Sequence, residues 1–134
     1  MGGAVGEAAT VAERLATRMA AGEIGEPGLY APDAMGWHNT NEVWAPLTEA
    51  PVRMAAVRRL VPDFHAEDIE VHPWAGGFAI QYVFVGTTTT GKKVRIVGCL
   101  VAAVVGGRIT RLQEYVDSAH AAVLRDALGA LAPR

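Results

Sequence analysis

The segment 108–117 reads RITRLQEYVD. Past Arg108 at the turn, its even positions, Thr110, Leu112, Glu114 and Val116, make the more apolar of its two faces. Glu114 is the only charge among these four. A carboxylate shut away from water must find a donor or take up a proton, because burial penalises the ionised form. A carboxyl group tuned upward in this way can give and accept protons near neutral pH. It can equally be a structural ion-pair partner, and the sequence leaves both roles open.

Strand registers supply neighbours for Glu114. A two-residue turn at Gly106 and Gly107 pairs Val105 with Arg108 and sets Cys99 opposite Glu114. A hairpin centred on Thr88 and Thr89 sets Arg95 opposite Tyr82 and Val97 opposite Ile80. On these registers Tyr82, Arg95, Cys99 and Glu114 share one face. A single β-bulge would flip the middle strand and bring in Gly98 and Leu100 instead. Cys99 reads as a small lining residue rather than a nucleophile, since no base is evident beside it. Arg95 reads equally as a solvated residue near a strand end.

Trp37, His38 and Asn39 stand in a row in the stretch YAPDAMGWHNTN at 30–41. Alternation puts Trp37 and Asn39 on one side and His38 on the other. With Trp37 and Asn39 turned inward, the indole is a pocket wall and the carboxamide orients a bound group. The alternative makes Trp37 core and Asn39 a turn residue. His38 then faces outward, at a structural position or a subunit contact.

The elements that must carry these residues follow from periodicity. Thr10 and Glu13 form a capping box, and Val11, Leu15 and Met19 give an apolar stripe to a helix over 10–21. A strand is expected over 34–39. A second helix, capped by Thr48, runs over 48–61 with Val52, Ala56 and Leu60 on one side, and Pro62 stops it. Strands follow over 69–74, 78–85, 92–105 and 108–117, and Ser118 can cap a last helix over 118–131. Helices beside an antiparallel meander predict an α+β fold in one domain, 1–134. In 78–85, Phe78, Ile80, Tyr82 and Phe84 face one way and Ala79, Val83 and Val85 the other. Both faces are largely apolar, so both are expected to be covered: one by helices, the outer one by a second copy in a homodimer.

Composition narrows the classes. The chain has 134 residues, 51% hydrophobic and 19% charged, with a net charge of −2, which predicts a globular protein with no pull toward nucleic acid or a membrane surface. The opening MGGAVGEAAT lacks the pattern of a signal peptide, and the apolar run 96–107 is too short to span a bilayer. Cys99 is the only cysteine, which fits a reducing compartment, and a cytoplasmic location is expected. GTTTTGKK at 86–93 falls one hydroxyl short of a phosphate-binding loop and joins two strands, so it reads as a hairpin tip. His38, His65, His72 and His120 show no metal-binding spacing. No cofactor motif is present, and neither a metal nor a cofactor is expected.

Two stretches carry a resemblance. LYAPDAMGWHN at 29–39 resembles the first strand of SnoaL-like proteins of the nuclear transport factor 2-like superfamily. GGRITRLQEYVDSAH at 106–120 resembles that superfamily's last strand, where a Gly-Lys/Arg-Ile turn leads to an acidic residue. The order of elements agrees over nearly the whole chain. The resemblance implies a cone of curved antiparallel sheet, with helices on its concave face enclosing a deep apolar pocket, often as a dimer. Members include polyketide cyclases, ketosteroid isomerase, scytalone dehydratase and limonene epoxide hydrolase, and others have no known activity. Glu114 falls where the cyclases and the epoxide hydrolase place a catalytic Asp. Trp37 and Asn39 fall where the hydrolase holds its attacking water with a Tyr and an Asn. The hydrolase also needs an Arg and an Asp two apart on the preceding strand, and Tyr82 and Phe84 stand there, so such an activity would run on an altered triad. Ketosteroid isomerase uses a first-helix Tyr and a carboxylate at the Asn39 position; helix 10–21 has no Tyr. The cyclase pattern conflicts least.

The resulting expectation is a cofactor-independent enzyme for a hydrophobic, oxygenated molecule such as a polyketide, terpenoid or steroid. Glu114 would move the proton, Tyr82 and Asn39 would bond the substrate, and Trp37, Ile80, Phe84, Cys99, Leu112 and Val116 would line the pocket. The rival expectation is a non-catalytic ligand-binding or dimeric accessory protein with the same cavity.

Overall fold

Ala8, Val11, Ala12, Leu15 and Met19 recur at helical spacing and are all buried, which gives α1 (Gly2–Ala20) one face to press on the sheet. In the computed structural model, which describes residues 2–131, α1 lies across β3 (His65–Trp74) and β4 (Gly77–Thr87). The helix begins about two turns before the expected cap. Thr10 donates its hydroxyl back to the Gly6 carbonyl at 2.9 Å, as a residue inside a helix does, and caps nothing.

The remaining strands are β1 (Tyr30–His38), β2 (Trp44–Pro46), β5 (Lys93–Val105) and β6 (Arg108–Val116), and the curved sheet runs β2-β1-β6-β5-β4-β3. Every pair is antiparallel except β1 with β6, which is parallel. The three-residue β2 escaped the sequence reading because so short a strand shows no period.

A 3₁₀ turn over Leu47–Glu49 leads into α2 (Ala50–Leu60), without the side-chain cap expected from Thr48. The buried side of α2 also differs from expectation: Val52 is 72% exposed, while Met54, Val57 and Leu60 pack on the core. Leu60 of the expected row packs on the core and Ala56 is half-buried, but Val52 gives way to Met54 and Val57. The last helix, α3 (Ser118–Leu131), touches β5 and α2 and sends Leu124 to the core.

The core is one cluster. Leu15, Met19 and Leu29 meet Phe78, Ile80, Tyr82, Leu100 and Ile109, with Phe64 stacked on Phe84 at 4.6 Å. Each such side chain withdrawn from water contributes about 1.5–3 kcal/mol. Among the described residues no helix is long and apolar enough to cross a membrane.

The middle strand overturns an expected register. The first hairpin closes with Thr87 opposite Lys93 and so is centred on Thr90, which sets Tyr82 opposite Gly98 and Ile80 opposite Leu100. The second hairpin pairs Val105 with Arg108 as expected, but the register slips between Ala103 and Val104, leaving Thr110 as the extra residue of a bulge. Leu100, not Cys99, therefore lies opposite Glu114. Both changes are odd in number, so β5 turns over: Gly98 and Leu100 face the helices, and Arg95 and Cys99 face outward.

Candidate active site

The parallel β1–β6 pair sets the site. It places Trp37 beside Gln113 and His38 beside Glu114, and residues level with each other in a parallel pair share a face. The face shared by Ala34, Gly36 and His38 is the inner one. Ala34 is buried, and a Cβ added to Gly36 would stand 2.6 Å from Cδ2 of Leu47, so this side of β1 is built small to admit Leu47. Trp37 goes outward as a result. It packs against Tyr115, with ring centres 5.3 Å apart, and against Trp44 at 6.4 Å. The expected pocket wall is an outer-face aromatic cluster, and the imidazole expected outside is inside.

Glu114 has two polar neighbours, a hydrogen-bond donor and an imidazole within ion-pair distance. Its Oε1 lies 2.9 Å from Nε2 of His38, and its Oε2 accepts the Tyr82 hydroxyl. Tyr82 belongs to β4 and Glu114 to β6, with β5 between them, a gap of roughly 9.6 Å at ordinary strand spacing. Only a side chain laid across β5 can close it, and Gly98 makes that possible. A Cβ at position 98 would stand 2.8 Å from the Tyr82 oxygen and 2.9 Å from its ring carbons. Burial pushes the Tyr82 phenol well above its ordinary value, and the nearby Glu114 charge adds to the push, so the hydroxyl keeps its proton and donates it. The Glu114 side chain is 13% exposed and that of His38 34%, so the cluster is closed at the Tyr82 end and open at the His38 end.

Asn39 stands just beyond β1 and is spent on the backbone. Its amide nitrogen donates to the Val116 carbonyl and its oxygen accepts the Val116 N–H, both at 3.0 Å, while its own N–H bonds the Glu114 carbonyl. It extends the β1–β6 ladder like an extra stretch of main chain and positions Glu114, with both carboxamide atoms engaged on Val116. Cys99 pairs with Tyr115 on the outer face, and burial pushes its thiol upward. Ile80, Phe84 and Leu112 are buried within the core cluster, and Val116 packs against it.

The sequence reading missed two residues. His38 was assigned to the wrong face, although Ala34 and Gly36 in step with it mark the side of β1 that must be small. Tyr30 reaches the Ile24 carbonyl with its hydroxyl; burial raises its phenol, and Glu114 adds to the effect. Two openings lie away from the cluster. One, of about 190 Å³, is lined by Ile24, Pro51, Met54 and Arg58 among others; one of about 170 Å³ lies by Trp74, Val101 and Arg111.

No protein-family profile and no curated protein matches this sequence. Solved structures do match it. PrhC from Penicillium brasilianum superposes with a TM-score of 0.74 at 11% identity, over 95% of this chain and 91% of that one. A proposed SnoaL-like polyketide cyclase from a Jannaschia species gives 0.70 at 12% identity, over 96% and 94%. IdmH from Streptomyces antibioticus, a proposed polyketide cyclase, gives 0.73 at 15% identity, over 88% and 97%. The fold is nuclear transport factor 2-like. Identities this low carry the fold alone. Within this nuclear transport factor 2-like cone, the His38–Glu114–Tyr82 cluster is where polar groups converge on the inner face.

Proposed function

We propose that this chain is a cofactor-independent enzyme performing acid–base chemistry of the cyclase or isomerase type on a hydrophobic, oxygenated small molecule. One observation carries the reading: a part-buried carboxylate, Glu114, accepts a hydrogen bond from a neutral phenol on the inner face and lies 2.9 Å from an imidazole nitrogen. Core side chains have little need of three converging polar groups, whereas a proton-transfer site requires them. The proposed polyketide cyclases among the fold's neighbours are in keeping with a polyketide-like substrate. The single cysteine fits action in the cytoplasm.

The test uses exchange of α-protons of ring ketones in D₂O, 2-tetralone first, followed by proton NMR. Glu114→Gln keeps the shape and removes the acid. Exchange is expected to fall by about 100-fold or more, the usual worth of a positioned acid or base. Equal rates in the two proteins would end the proposal.

A second reading has its own observation. Ile80, Phe84 and Leu112 fill the core rather than line an open hollow, which favours a ligand-binding or accessory protein in which Glu114 is structural. Under either reading we propose a homodimer through the outer sheet face, where Val97, Val101, Val105, Trp44 and Tyr115 stand exposed.

A further inference from the structure

The opening of about 190 Å³ shares no residue with the Glu114 cluster. It lies between the segment that follows α1 and the helix α2, with Gly22, Ile24 and Gly25 on one wall and Pro51, Met54 and Arg58 on the other. The walls are mostly apolar, and Met54 packs inward on the core. Arg58 supplies a cation. Two neighbours set its guanidinium in place: one nitrogen donates to the Pro62 carbonyl at 3.4 Å, and the guanidinium carbon and Nε come within 3.3 Å of where a Gly22 side chain would begin. That single long bond leaves the other N–H donors of the guanidinium unbonded among the described residues. No carboxylate among those residues pairs with Arg58 either. The nearby acids are committed elsewhere. Glu26 takes Arg14 at 2.7 Å and Arg18 at 2.9 Å, and Glu23, on the rim of the opening, takes Arg18 at 3.4 Å. Arg14, Arg18 and Arg58 thus stand against Glu23 and Glu26, and the cation without a partner is the one that lines the opening.

We propose that this opening is a second binding site, for a small carboxylic acid with an apolar body, and that Arg58 recognises the carboxylate. The planar fork of a guanidinium matches the two oxygens of a carboxylate. An arginine already held by its neighbours loses less freedom in making that match. Ile24, Pro51 and Met54 take the apolar part of the acid out of water. Volume limits the ligand. A cavity of about 150 Å³ holds one benzene ring, so this opening takes a single ring or a short branched chain. Charge limits it too: Glu23 on the rim repels a dianion such as a phosphate ester more strongly than a monoanion. A neutral alcohol of the same shape leaves the guanidinium without a partner, and a bare acetate leaves the apolar walls wet. The site does not depend on the acid–base reading above, and neither requires the other.

The test is a titration of the ¹⁵N-labelled full chain with benzoate, followed through its amide resonances. Benzoate is expected to move the amides of Gly22, Ile24, Gly25 and Ala55 with a Kd of about 1 mM. Benzyl alcohol carries the ring without the charge, and acetate the charge without the ring; each is expected to bind about tenfold more weakly or worse. Arg58→Gln removes the cation at an exposed position and is expected to weaken benzoate by about tenfold or more, with the spectrum of a folded protein retained. Ala55→Leu keeps the cation, fills part of the opening and is expected to weaken benzoate as well. Equal binding of benzoate by wild type and Arg58→Gln overturns the proposal. So does a loss in Arg58→Gln with full binding in Ala55→Leu, which would mean ion pairing at the surface alone. Shifts centred on His38 and Glu114 instead, or none up to about 10 mM benzoate, overturn it too.

Discussion

Replacing Gly98 by alanine adds one methyl group and tests how Tyr82 reaches Glu114. The new Cβ would stand 2.8–2.9 Å from three atoms of the Tyr82 ring and hydroxyl. Ordinary contact is about 3.5–4.0 Å, so the phenol must shift by roughly 0.7–1 Å. Tyr82 is buried among packed side chains, with Phe84 4.7 Å from it, and the shift meets resistance on its far side. Overpacking of this kind costs about 1–3 kcal/mol. The displaced hydroxyl also loosens its bond to a carboxylate, worth about 1.5–3 kcal/mol. Against this, the alanine restricts the unfolded chain and returns about 0.4–1 kcal/mol. The net expectation is a loss of about 1.5–5.5 kcal/mol. Urea unfolding followed by tryptophan fluorescence measures it. A Gly98→Ala protein within about 0.5 kcal/mol of wild type would refute the claim that this glycine holds the path open for Tyr82.

Two further outcomes follow from the same structure. Asp117 caps α3 by accepting the N–H groups of His120 and Ala119 at 3.0 and 2.9 Å, and the His120 bond foremost holds its carboxyl below the usual range. A depressed folded value means the contribution is complete above the unfolded value and is lost as pH falls through the folded one. Stability of wild type should therefore drop more steeply than that of Asp117→Asn below about pH 4, read from urea midpoints; parallel curves would contradict it. For the outer face, sedimentation should show a wild-type dimer and a shift to monomer in Val101→Glu or Tyr115→Lys; a monomeric wild type refutes the proposed interface.

The helices and most strands were legible because their signals are local. The stripe of Val11, Leu15 and Met19 and the alternation of Phe78, Ile80, Tyr82 and Phe84 depend only on residues within a few positions of one another, and all seven are buried. On α2, local spacing could not choose between Val52 and Met54. The short β2 and the first two turns of α1 lay below what pattern reading resolves.

For the site itself, alternation along 110–116 was enough to put Leu112, Glu114 and Val116 on one face and to mark Glu114 as the charge among them. Which residues meet Glu114 was a tertiary decision. Side chains alternate with a period of two, so an error of one residue in register reverses a whole strand. The loop centred on Thr90 and the bulge at Thr110 turned Cys99 away and brought Gly98 in, opening the path for Tyr82. The parallel pairing of β1 with β6, and the room Leu47 needs over Gly36, turned Trp37 outward and placed His38 on Glu114. Alternation belongs to one strand and can be read from it. Register belongs to two strands and the turn between them, and only the folded chain decides it.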